Sequence, residues 1–103
     1  MSSTRLEGRL VDARGHLIGV VRVSDKGGCW LGEIDLNDTA PGLVALFTRF
    51  EEVVYGQMLS FLDEMEAEIQ QLGARLLTGE GKAIPVDDLQ IYPAERGVSF
   101  RIP

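Results

Sequence analysis

The sequence is short of the residues that hold a chain together by chemistry. Of 103 residues one is cysteine, one histidine and one tryptophan. A lone Cys29 excludes an internal disulfide, and His16 cannot complete with it a zinc site of four side-chain ligands. Stability therefore has to come from burial. Cations are scarce too, ten against sixteen acids for a net charge of −6. Phosphate-backbone binding needs clustered Lys and Arg, so nucleic acid is excluded as a partner. No apolar run approaches the ~20 residues of a bilayer span, and Met1-Ser2-Ser3-Thr4-Arg5 does not lead into the apolar core of a secretion signal. A cytoplasmic address away from membranes is the expectation. What is present, 45% hydrophobic and 25% charged residues, suits a single globular domain over residues 1–103.

The charge is unevenly placed. Met1 to Leu36 and Ala74 to Pro103 are each balanced, whereas Asn37 to Gly73 carries Asp38, Glu51, Glu52, Asp63, Glu64, Glu66 and Glu68 against Arg49 alone. The middle third therefore holds the whole imbalance.

Arg5 to Ala13, His16 to Ser24 and Cys29 to Leu36 alternate in polarity and are separated by Arg14-Gly15 and Asp25-Lys26-Gly27-Gly28. That pattern predicts a three-strand antiparallel meander. Turns centred on those segments place Leu6, Val23 and Trp30 in one row, then Gly8, Val21 and Gly32, then Leu10, Gly19 and Ile34, so that large residues alternate with glycine. The opposite face carries mixed charges, Glu7 beside Arg22 and Arg9 near Glu33.

Leu43, Phe47, Phe50, Val54, Met58, Phe61, Met65, Ile69 and Leu72 recur every three or four residues, which predicts one amphipathic helix over Leu43 to Leu72. Asp38 or Thr39 is placed to cap its start, Pro41 fits the first turn, and Gly73 supplies a left-handed stop. Gly56 is its internal weak point. Beyond it, Ala74 to Thr78, Leu89 to Tyr92 and Gly97 to Ile102 read as strands, with an irregular stretch around Pro85. The expected fold is an α+β domain in which an antiparallel sheet, the three-strand N-terminal meander plus two or three C-terminal strands, packs on one long central helix.

Thirty helical residues span ~45 Å, against a diameter of about 34 Å for a domain of this size. Such a helix either bends near Gly56 or overhangs its sheet onto another chain. At 100° per residue Leu59 falls on the far side of the main apolar stripe, with Val44, Tyr55 and Leu62 on a shoulder. These four form a candidate interface for a homodimer. Asp63, Glu64, Glu66 and Glu68, in the half of the helix where the macrodipole disfavours anions, form either a solvated face or a docking surface for a basic protein.

Candidate chemistry is sparse. Cys29 and His16 lie at opposite ends of the second strand in this register, ~26 Å apart, too far for a nucleophile and its base. Gly79-Glu80-Gly81-Lys82-Ala83 lacks two positions of a phosphate loop, having Leu76 and Ala83 where glycine and Ser or Thr are required. Asp87 and Asp88, with Glu80 or Glu95, have too few regularly spaced oxygens for a calcium loop, and no metal, cofactor or catalytic residue is assigned. Gly8, Gly19 and Gly32 beside Trp30 either receive bulky helix residues or leave a small apolar pocket between sheet and helix.

Gly8 to Val21, with its strand, acidic turn and returning Ile18-Gly19-Val20-Val21, resembles the opening hairpin of PRC-barrel domains. The long helix departs from that barrel, so no fold or activity is carried over from it. The sequence thus points to a non-enzymatic cytoplasmic interaction or assembly module, homodimeric through the helix's second stripe or the mixed sheet face, with a small-molecule sensor as the alternative.

Overall fold

The computed structural model describes residues Arg5 to Ile102, apart from the side chains of Pro41 and Leu59. Seven strands form one antiparallel sheet: β1 (Arg5–Val11), β2 (Leu17–Lys26), β3 (Cys29–Leu36), β4 (Arg75–Thr78), β5 (Ala83–Pro85), β6 (Asp87–Tyr92) and β7 (Gly97–Arg101). Their order across the sheet is β5-β4-β1-β2-β3-β7-β6. The sheet curls into a half-barrel around two short helices, α1 (Pro41–Tyr55) and α2 (Leu59–Gln71).

The single long helix is the main correction. The chain stops α1 at Gly56, and Gln57 takes a left-handed conformation at φ 54°. The Gln57 N–H donates to the Val54 carbonyl at 3.2 Å and the Met58 N–H to the Val53 carbonyl at 3.0 Å. This paired closure is the Schellman helix stop, in which a left-handed residue lets two backbone amides return to the last turn. Helices of 15 and 13 residues span only ~20 Å each. They fit within extents of 38 × 32 × 23 Å, so the overhang inferred for an unbroken rod disappears.

The break also changes which side chains are covered. Phe47 and Phe50 of α1 and Met65 and Ile69 of α2 are buried as their spacing implies. Val53 joins them, whereas Met58 and Phe61 are exposed. Neither helix start is closed by a side chain. Asn37, and not Asp38 or Thr39, organises the entry to α1: its Oδ1 accepts from the Thr39 amide and its Nδ2 donates to the Leu17 carbonyl. Gly73 ends α2 as its position suggests, with φ 62° and its N–H on the Gln70 carbonyl.

The first hairpin keeps its expected register from Arg5–Ser24 to Leu10–Gly19. Leu17 then faces Val11, leaving Ile18 as an extra residue that is fully buried. The second hairpin is shifted by two residues from the expected rows. Its turn is Gly27-Gly28, both at positive φ, between the pair Lys26 and Cys29. A two-residue turn of this kind needs left-handed backbone at both positions, and two glycines supply it. One inner row therefore runs Leu6, Val23, Gly32, Val98, Ile91, and the next has Gly8, Val21, Ile34.

Four C-terminal strands form, not two or three, and they flank the meander on both sides, β4 pairing with β1 and β7 with β3. The additional one is β5, where Pro85 ends a three-residue edge strand and so costs no ladder bond in the sheet interior. Val86 alone separates β5, at one edge, from β6, at the other. Two residues span at most ~7 Å, so the two edges meet at this corner.

Candidate functional site

The most conspicuous surface is the elbow between the helices. Tyr55 is 57% exposed, Met58 42% and Phe61 53%, three large apolar side chains within seven consecutive residues. The backbone holds them close, with the Phe61 N–H on the Met58 carbonyl at 3.0 Å. The elbow is braced from behind by the 3-10 turn Pro93–Glu95. The Tyr55 hydroxyl donates to Glu95 Oε1 at 2.5 Å, and its ring lies 6.0 Å from that of Tyr92, which in turn packs against Phe50. Glu51, buried on α1, accepts from the Ala94 amide at 3.3 Å through Oε2. The hydrogen bond to Glu95, helped by burial and by the nearby charges of Glu95 and Glu51, pushes the Tyr55 phenol up to about 12. Burial first, and then Glu95, Asp88 and Glu51, raise Tyr92 as well.

Exposed acids flank the apolar residues along the chain: Glu52 before the elbow, Asp63 and Glu64 after it. All four residues of the acidic cluster, Asp63, Glu64, Glu66 and Glu68, are exposed on α2. Because α2 is a separate helix, Asp63 and Glu64 sit in its N-terminal half, where the helix dipole does not oppose them as it would near the end of a single long helix. Of the candidate interface, Tyr55 is exposed and Val44 and Leu62 are half-buried, while the side chain of Leu59 lies outside the described residues.

The glycines and Trp30 are not assembled into one pocket wall. Trp30 faces Asp25 and Phe100, whereas Gly32 faces Val23 and Val98. Space above each glycine is taken by adjacent backbone. A methyl group added at Gly8 would stand 2.5 Å from the Leu77 carbonyl oxygen and one at Gly19 2.7 Å from that of Asp35, and one at Gly32 would meet the Arg22 carbonyl. These glycines mark close approach between strands and permit the curl of the sheet. A concavity of about 620 Å³ lies elsewhere, where α2 meets the corner joining β5 to β6. Ile69, Val86 and Leu89 line it together with Glu66, Arg75 and Asp87.

The remaining polar candidates have local roles. Asp12 Oδ1 accepts from the amides of Arg14 and His16, 2.9 Å each, closing the β1–β2 turn. Burial works against its carboxylate, but those amides and the adjacent cations hold it below the usual range. His16 Nδ1 lies 3.5 Å from Asp12 Oδ2, at the opposite end of β2 from Cys29, which pairs with Lys26 and Arg101. Gly79 to Lys82 is the β4–β5 turn, with the Thr78 amide on the Lys82 carbonyl. Asp88, at φ 54°, sits in the irregular start of β6 and reaches Arg101 at 4.0 Å. Among the described residues no three His, Cys, Asp or Glu side chains converge as a metal site requires, and no helix is long and apolar enough to cross a membrane.

Against protein-family models, curated proteins and solved structures, the chain matches nothing. A functional reading therefore rests on this geometry alone. Met58 and Phe61 belong to the surface that sequence periodicity assigned to the core. The signal that could have exposed them was Gly56-Gln57, a helix stop whose effect is to rotate everything after it.

Proposed function

We propose that the protein is a non-enzymatic cytoplasmic interaction module that assembles with further copies of itself through the helix elbow. The observation that carries this reading is the group Tyr55, Met58 and Phe61, exposed together at the corner of the helix layer. Large apolar side chains that a chain leaves in water as a group, rimmed by charge, are the usual mark of a contact surface. Tyr55 suits such a surface because it combines apolar area with few rotatable bonds, and its bond to Glu95 fixes the ring before any partner arrives.

Sedimentation across a concentration range tests the proposal. The native chain is expected to exceed 11.3 kDa at micromolar to submillimolar concentration, and Phe61→Asp or Met58→Ser to sediment as monomers with unchanged circular dichroism. A native chain that stays monomeric throughout would overturn it.

A further inference from the structure

Among the described residues five large hydrophobic side chains are exposed, Tyr55, Met58 and Phe61 on the elbow, and Val20 and Leu31, in separate rows, on the convex face of the sheet. The two surfaces differ in charge. The elbow is flanked along the chain by exposed Glu52, Asp63 and Glu64. On the convex face, whose charges are mixed and include Glu7, Val20 lies between Asp35 and Arg9, and Arg9 lies beside Leu77, in one row across β3, β2, β1 and β4. Arg75 stands next to that row, paired with Val11. Arg22, in the adjoining row, is engaged by Glu33 at 3.4 Å and Asp35 at 3.6 Å. Arg9 and Arg75 have no ion pair among the described residues.

Resting on the elbow as the contact surface, we infer that the elbow of one copy docks on the convex sheet face of the next, over Val20, Arg9, Leu77 and Arg75. Charge decides between this arrangement and a two-fold pairing of elbows. An elbow-to-elbow contact sets Glu52, Asp63 and Glu64 of one copy against the same acids of the other, and like charges across an interface are unfavourable. Elbow on sheet sets those acids against two arginines that have no carboxylate of their own, and apolar residues against apolar residues. Because the two surfaces lie on opposite sides of the sheet, each copy keeps one of them free after its first contact. Such a heterologous contact continues into a ring or an open chain and does not close at two copies.

A complementation experiment tests this. Phe61→Asp disables the elbow and Arg9→Glu the sheet face, with Arg75→Glu as a second sheet variant and circular dichroism as the check on folding. The expected result is that the native chain grows past two copies, that each variant alone is monomeric, and that Phe61→Asp mixed with Arg9→Glu or Arg75→Glu gives a species that stops at two copies. A native chain that stops at two copies, or sheet variants that associate as the native chain does, would overturn the head-to-tail arrangement while leaving the elbow as an interface. A native chain that is monomeric throughout would remove both.

Discussion

Tyr55 and Glu95, forty residues apart in sequence, share a hydrogen bond at the surface, and that single contact has a measurable consequence. With two tyrosines in the chain, an ultraviolet titration should resolve Tyr55 ionising near pH 12, and Glu95→Gln should return it toward 10.0. The folded-state value is raised, so the contribution of this bond to stability is complete below about 10 and is lost as the pH climbs to about 12. Gly32 gives the second residue-scale expectation. Its missing side chain makes room for the Arg22 carbonyl of β2, so Gly32→Ala should destabilise the fold by about 1–3 kcal/mol in chemical denaturation. Glycine inside a strand pattern was legible as a close approach. What approaches it was not, because a hairpin turn displaced by one residue moves the pairing by two and exchanges Trp30 for Gly32 opposite Val23.

At the scale of elements, the strands of the meander and most of the faces they present follow from alternation, since a shift by two keeps side chains on their side; the exception is the irregularity at Leu17 and Ile18, where Val11 and Ile18 are buried. The helix did not yield in the same way. Leu43 through Leu72 satisfies helical spacing without a gap, and nothing in that spacing distinguishes a continuous rod from two shorter helices that share a corner. The residue that turns the corner is Gln57, although glycine at Gly56 stands directly before it. A side chain in the left-handed region costs ~1–2 kcal/mol that glycine does not incur. Gln57→Gly is therefore expected to raise the stability by about 1 kcal/mol in thermal or chemical unfolding without altering the fold. An unchanged or lowered stability would mean that the elbow is held by its contacts with the 3-10 turn and not by local backbone. The short β5 was hidden by Pro85, which forbids an interior strand but is compatible with an edge.

Across the whole molecule, the acidity confined to Asn37–Gly73 becomes a spatial asymmetry, with helices that carry the negative charge lying in the hollow of a sheet whose two halves are nearly neutral. That asymmetry was legible in the sequence, and Tyr55, which periodicity set off the main apolar stripe, is exposed. Met58 and Phe61 were not, because their exposure depends on the corner. For the proposed head-to-tail assembly, added salt should weaken association by screening acids against Arg9 and Arg75, whereas contact between two acidic elbows would strengthen.

The meeting of β5 and β6 through Val86 bears on how copies can join at all. A free strand edge is a template on which foreign strands align, and this fold offers poor ones: three residues ending in proline on one border, an irregular start with Asp87 and Asp88 on the other, and both tethered at a shared corner. Lateral extension into fibrillar ladders is thereby discouraged, and the broad faces are left as the places where neighbours can accumulate.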